Sequence, residues 1–286
     1  MIRISSVGRD VRALGSSAVP RALYEGSKKV GGHAALFRTT SKSTPLRPCL
    51  PIPPHAVSGL AAATTEDDAH LIITEGLLAF GKRLSIDAAE DWIRDPLTGQ
   101  VWPTTEWWKI DIRTDNRLSD VKWTWELGRH RDLVVLARAH HLSPDDPVAL
   151  DELTRLLTLW FEANPLERSI HWYSNLEIAL RLIAWDQILG LVGSALPQPV
   201  IGQLELHVAQ ARRHILIDLP YTVSSMKNNH LLGDTLGIQI AEQMAGRGPD
   251  SYPRVVANRL WEKQLARHMG PDGSMIEDSL SYHRFV

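Results

Sequence analysis

Ser174-Asn175-Leu176-Glu177-Ile178-Ala179-Leu180-Arg181-Leu182-Ile183-Ala184-Trp185-Asp186-Gln187-Ile188-Leu189-Gly190-Leu191-Val192 contains one of the longest apolar stretches of the sequence, Ile178 to Val192. Arg181 and Asp186 interrupt it, and it falls short of the roughly 18 uninterrupted apolar residues that a membrane span requires. It reads as a buried helix. On either side, from Lys122 onward, apolar residues recur at spacings of three and four, the period of amphipathic helices. The spacing predicts helices over Thr124 to His141, Pro147 to Ala163, Ser174 to Val192, Pro199 to Leu219, Asn229 to Ala245, Tyr252 to Met269 and Met275 to Phe285.

Several of these boundaries carry start and stop chemistry. Asp146 before Pro147 suits an N-cap with proline in the first turn, and Asn164-Pro165 ends the preceding helix. The connections are short, so successive helices are expected to be antiparallel neighbours. Seven helices with no strand pattern between them argue for an all-α domain. Because the hairpins follow one another regularly, an incomplete α/α toroid is favoured over a simple bundle.

Residues 1 to 65 are rich in Ser, Pro, Gly and Arg with poor periodicity and are expected to be a poorly structured arm with one short helix. The helical domain is placed at 66 to 286. Within it, Asp68 to Ile112 mixes short apolar runs with turn signals at Asp95-Pro96 and Thr98-Gly99, then Trp102, Trp107 and Trp108. This is the lead-in that packs on the main body.

With 44% hydrophobic and 22% charged residues the chain can bury a large core, so wholesale disorder is excluded. The net charge of −2 gives no basic field of the kind that draws proteins to nucleic acid or anionic membranes. An acidic partner must be met locally. The single cysteine, Cys49, rules out a disulfide or a cysteine metal site within the chain. Met1 to Lys29 carries arginines but no apolar run of the about 7 to 15 residues of a secretory signal, so a cytoplasmic location is expected. There is no Gly-rich phosphate loop, no Gly-x-Ser-x-Gly elbow and no His-Glu-x-x-His pair, and no metal or other cofactor is expected. His140, His141, His207, His214 and His268 lack ligand spacing and are read as helix-surface residues.

Three stretches carry chemistry. Ser224 to His230 is a polar run that opens into an apolar helix at Leu231, which holds Asn228, Asn229 and His230 at a helix N-terminus. There, free N–H groups and the helix dipole favour an anion, while an ordinary asparagine cap with a solvent-facing histidine is the plainer reading. In Asp272 to Phe285 a glycine turn precedes a short helix with Ser279, Tyr282 and His283 on one face beside Arg284. Tyr282 could move a proton if neighbouring cations lowered its pKa, or could simply pack with its hydroxyl capped. Finally, Trp125-Glu126-Leu127-Gly128-Arg129 and Trp172 to Arg181 each place a glutamate three or four residues before an arginine on a helix that follows aromatics. Glu126 with Arg129 and Glu177 with Arg181 read either as structural pairs or as part of a groove. In the groove, Trp125 and Trp172 would stack on sugar rings and arginine would grip a carboxylate. Ten tryptophans against four phenylalanines tilt the balance toward the groove.

Taken in order, Trp125-Glu126-Leu127-x-Arg129, Asn164-Pro165, Trp172-x-x-Asn175-Leu176-Glu177-x-Ala179-x-Arg181, Asn228-Asn229-His230-Leu231-Leu232 and Asp272-Gly273-Ser274 to Tyr282-His283-Arg284-Phe285 resemble the heparinase II/III family of polysaccharide lyases, which includes alginate lyase-like members. The resemblance runs from about Trp92 to the last residue. It implies an incomplete α/α toroid followed by β-sandwich domains, and cleavage of uronic-acid polysaccharides by β-elimination without a catalytic metal. Carried over by position, Asn229 and His230 neutralise the substrate carboxylate and Tyr282 handles the proton. Asn228, Arg129, Glu126, Trp125, Trp172, Glu177, Arg181, His283 and Arg284 bind substrate.

The sequence departs from the family in ending at Val286, before the β-sandwich and the further catalytic histidine it supplies. The resemblance therefore implies a lyase half whose missing β-sandwich would be its nearest protein partner. Two other readings stand beside it. One is a non-catalytic helical module that binds an acidic polysaccharide or helps assemble an exopolysaccharide. The other is a glycoside hydrolase on a related ring, for which Glu126, Glu177, Glu277 and Asp278 are the obvious carboxylates and nothing in the sequence pairs them.

Overall fold

The computed structural model of the chain describes residues 18–48, 60–112, 120–226, 228–270 and 273–274. The described residues are mostly helical, as an all-α fold requires. The helices are α1 (Ala18–Lys29), α2 (Gly32–Phe37), α3 (Leu60–Glu75), α4 (Lys122–Leu127), α5 (Arg131–Leu142), α6 (Val148–Ala163), α7 (Asn175–Val192), α8 (Gln198–Ser225), α9 (Asn229–Met244) and α10 (Tyr252–His268). Among the described residues the one sheet is a hairpin, β1 (Leu77–Ala79) paired antiparallel with β2 (Lys82–Leu84).

Four of the seven predicted helices appear close to their expected bounds. The first differs, because Thr124 to His141 is two helices. Gly128 ends α4, and His130 adopts a left-handed conformation with φ 59° that no α-helix can propagate. The break is held from outside, since the buried His130 ring accepts the indole N–H of Trp185 at 3.0 Å. The fourth helix also departs from expectation. It is predicted to end at Leu219, yet α8 runs on through Pro220 to Ser225. The loss of one backbone donor is outweighed by tertiary packing of the last turn, where the Tyr221 ring stacks on Tyr24 at 3.8 Å. The last predicted helix, Met275 to Phe285, lies outside the described residues.

Packing follows every second helix. α5 lies against α3 and α7, and α7 lies against α9, which gives a row α3, α5, α7, α9. α6 packs beside α5, while α8 and α10 pack beside α9. Successive helices are therefore not all neighbours. α7 packs chiefly on α5 and α9 rather than on α6, because the eleven residues between α6 and α7 (164–174) carry the chain away before α7 starts. Close approach of α9 to α7 relies on glycine. A Cβ on Gly237 would stand 3.0 Å from Ala179 Cβ, and one on Gly233 2.5 Å from Leu176 Cδ1.

The segment expected as a poorly structured arm supplies two helices, α1 and α2, which fold back over the body. Phe37 of α2 is buried against Trp107 and His214, and α1 packs on α8. The apolar residues that do this, Tyr24 and Phe37, are too few and too widely spaced to show a period. No helix among the described residues is long and apolar enough to cross a membrane.

Candidate active site

α7 and α9 begin, and α8 ends, at the same end of the row, and α1 closes over that end. Asn228 sits in extended conformation just before α9, and its side-chain oxygen accepts the His230 N–H at 3.2 Å. This cap sets His230 on the first turn of α9, beside a pocket of about 310 Å³. Trp125, Tyr173 and Tyr221 supply its aromatic walls with the buried Trp107 behind them, α1 contributes Tyr24, Glu25 and Lys28, and Asn175, Asp218 and Asp234 also line it. Trp125 is fixed by its indole N–H, which donates to Ile170 O at 3.0 Å. The Lys28 ammonium lies 4.8 Å from the Tyr24 ring and 5.3 Å from the Tyr173 ring, within cation–π range.

The floor is a carboxylate pair bridged by an amide. Asn175 Nδ2 stands 3.2 Å from an oxygen of Asp218 and 3.2 Å from one of Asp234. The second oxygen of each, Oδ1, is buried without a hydrogen-bond partner. Burial pushes the Asp234 carboxyl up to about 8, and the neighbouring Asp218 adds to the effect against the Thr222 and Asn175 side chains. Asp218 is also raised by burial, opposed by His214, the Tyr24 hydroxyl and Lys28. Asp234 is therefore mostly protonated at neutral pH, a carboxylic acid able to donate a hydrogen bond. Desolvation, then Asp218, drives the Tyr24 phenol far above its ordinary range, so it too remains a donor.

These acids belong to a polar stripe that the sequence reading missed. On α8, His207, Gln210, His214, Asp218 and Thr222 are spaced three and four apart and are all buried. His207 meets Asn164 O at 3.1 Å. Gln210 Nε2 donates to Glu167 Oε1 at 2.6 Å, and His214 Nδ1 is 2.7 Å from Glu167 Oε2. Burial alone would lower His214, but Glu167 at contact distance turns the net shift upward. A run of polar residues at helical period on a face otherwise headed for the core was the signal available, because buried polar groups at that spacing need partners. The structure thereby corrects the reading of His207, His214, His140 and His268 as surface residues, since all four are buried.

Of the residues singled out from sequence, the structure brings Trp125 and His230 into the pocket, with Asn228 and Asn229 at the adjoining helix start. It does not bring the others there. Trp172 is only 2% exposed and packs against His207 and His214, so it offers no face to a sugar. Trp92, Trp102, Trp107, Trp108, Trp160 and Trp185 are buried as well, so the tryptophan excess serves mainly the core. Arg181, also 2% exposed, donates to Gly128 O at 3.1 Å and His171 O at 2.9 Å and lies over the Trp160 ring. Burial lowers its pKa to about 9, against the pull of Glu177. Its hydrogen bonds go to carbonyls rather than to the expected partner Glu177. Glu177 instead pairs with Arg129, and Glu126 with Arg129 and Arg131, in a network apart from the His230 pocket. Tyr282, His283 and Arg284 lie outside the described residues.

Among the described residues no group of three or more His, Cys, Asp or Glu is placed to hold a metal ion. No protein-family profile, curated protein or solved structure matches the chain.

Proposed function

We propose that the chain is the helical catalytic part of a polysaccharide lyase that opens uronic-acid polysaccharides by β-elimination. The observation that carries this reading is the pocket at the start of α9, where capped His230 stands beside Trp125, Tyr173 and Tyr221. In the same reading the row α3, α5, α7, α9 is the inner wall of an incomplete α/α toroid spanning 66–286, with α6, α8 and α10 outside it.

The chemistry asks for two things. Removing the proton beside the uronate carboxylate develops enolate-like charge on that carboxylate, which needs donors already in place. Asn229, His230 and the first turn of the 16-residue α9 supply donors and the positive end of a dipole. A proton must also reach the leaving oxygen, the role assigned to Tyr282. The aromatic walls suit the apolar faces of sugar rings. Asp234, protonated at neutral pH, does not repel the carboxylate and adds a donor. Replacing Asn229 or His230 with Ala should cost about 10²-fold or more in turnover, the usual loss for one preorganised donor.

A second reading is favoured by one specific observation, the Asp218–Asn175–Asp234 bridge. Two carboxyls with raised proton affinity at one pocket suit a glycoside hydrolase, with Asp234 as general acid. The product separates the readings. Elimination leaves a conjugated double bond that absorbs in the ultraviolet, whereas hydrolysis releases reducing ends without one.

A further inference from the structure

A second recess lies on a different face, between residues 41–47 and the helices α8 and α9. It has a volume of about 280 Å³, and its polar lining is Ser41, Lys42, Thr44, Arg212 and Arg247. We propose that this recess is a binding site for a doubly charged tetrahedral oxyanion, phosphate or sulfate, free or as a monoester.

Charge is the first argument. Arg212 and Arg247 share one carboxylate, the fully buried Glu242, which Arg212 pairs with through Nε and Arg247 approaches at 4.0 Å. Glu242 also accepts the Ser251 hydroxyl at 2.8 Å, so its capacity is largely taken within the fold. Lys42 has no partner among the described residues. Three cations against one carboxylate leave two positive charges around a concave space, a field that a dianion offsets. Geometry is the second argument. The Nη groups of Arg212 are left over from its contact with Glu242, and a guanidinium presents them as a fork suited to two oxygens of one anion. Ser41 and Thr44 add hydroxyls on the same wall.

The rim is also preformed. The Ser41 N–H donates to the buried Gln210 Oε1 at 2.8 Å, and the Arg47 N–H donates to Met244 O at 2.7 Å. The crossing segment is pinned at both ends, so an anion need not order it on arrival.

The test is calorimetric titration of the whole chain with sodium phosphate, sodium sulfate, glucose 6-phosphate and glucuronate, at ionic strength matched with sodium chloride. Melting curves are recorded in parallel. We expect saturable binding of phosphate or sulfate, weakened about tenfold or more by Lys42→Gln and further by Arg247→Gln. Both side chains are solvent-accessible, and Glu242 keeps Arg212, so the variants should melt in chloride like the parent. Tighter binding of glucose 6-phosphate than of phosphate would identify the anion as one carried on a sugar, and the reverse order would identify it as a free ion. Absence of saturable binding would overturn the proposal. So would binding unchanged in the folded double variant, or glucuronate binding as tightly as the dianions.

Discussion

Arg129 grips Glu177 at two points, Nε to Oε2 at 2.7 Å and Nη2 to Oε1 at 2.9 Å, across 48 positions of sequence. Its remaining arm, Nη1, reaches Glu126 Oε2 at 2.5 Å. One guanidinium thus fastens the break between α4 and α5 to the first turn of α7. Glu126 and Glu177 are both buried, and of the two only Glu126 has a second cation, Arg131. Arg129→Ala should therefore cost about 3–5 kcal/mol, the usual loss when a buried pair keeps its charge and loses its partner. Arg129→Lys should recover only part, since an ammonium cannot make the two-point contact. Denaturant unfolding of both variants measures this, and losses below ~1 kcal/mol for Ala would show the pairing to be incidental.

Gly128 marks the tightest backbone approach beside that network. A Cβ there would fall 2.3 Å from His171 Nδ1, and His171 cannot yield because its Nε2 is held by Trp92 O at 2.8 Å. At Gly237 the nearest atoms are the terminal Cδ1 of Ile215, at 2.8 Å, and Ala179 Cβ, at 3.0 Å. Gly128→Ala should destabilise by at least the ~1–3 kcal/mol typical of overpacking, and by more than Gly237→Ala. Melting temperatures in the opposite order would contradict the packing described for the α4–α5 break.

The pH dependence should have two opposed limbs. Burial, then Arg181, holds His171 down to about 3, and burial holds His207 down to about 4, both from an ordinary 6.5. Between those limits the unfolded chain binds protons that the folded chain refuses, so stability is lost as pH falls below 6.5. Asp234 acts in the other direction. Its folded value of about 8 lies above the ordinary 3.8, so its contribution is complete below 3.8 and is lost as pH rises through about 8. Each group can contribute a slope of up to ~1.4 kcal/mol per pH unit. Two histidines outweigh one aspartate on the acid side, which puts the stability maximum near pH 6.5. Asp234→Asn should flatten the limb above it. His214, raised by Glu167, loses its contribution on the same limb, so a melting temperature that falls as steeply from pH 6.5 to 8 in that variant as in the parent would assign the limb to His214 alone.

The α1 arm should matter to the pocket more than to the fold. Tyr24 stacks on Tyr221 at 3.8 Å and sits beside Asp218. Tyr24→Ala should cost roughly the 0.5–1.5 kcal/mol of an aromatic pair beyond its lost burial. It should also weaken binding of a uronate oligosaccharide, measured by calorimetry, while leaving phosphate binding at the α8–α9 recess unchanged.

The helices were legible because burying one face of a helix imposes a period, and because the ends need caps. Asp146 does accept the Val148 N–H, at 3.0 Å, and Asn228 does cap α9. What could not be read was set by partners distant in sequence. Nothing near His130 announces a left-handed residue, since the indole that steadies it is 55 positions away. The run of α8 past Leu219 and Pro220 could not be read because the stacking that carries it comes from Tyr24. Nothing in the sequence links Asp218 with Asp234, because the bridge between them is Asn175 on another helix. The His230 cap was legible locally. The pocket around it was not, because six separate segments build it.

The most direct measurement is ultraviolet absorbance of the conjugated double bond, followed over a panel of uronate polysaccharides incubated with the chain and with its Tyr282→Phe and His230→Ala variants. Reducing ends are assayed on the same samples. We expect absorbance to rise with one of these polymers for the parent chain and to be lost in both variants while their melting curves stay close to the parent's. Reducing ends released without absorbance, and abolished by Asp234→Asn, would overturn the lyase and assign the pocket to hydrolysis.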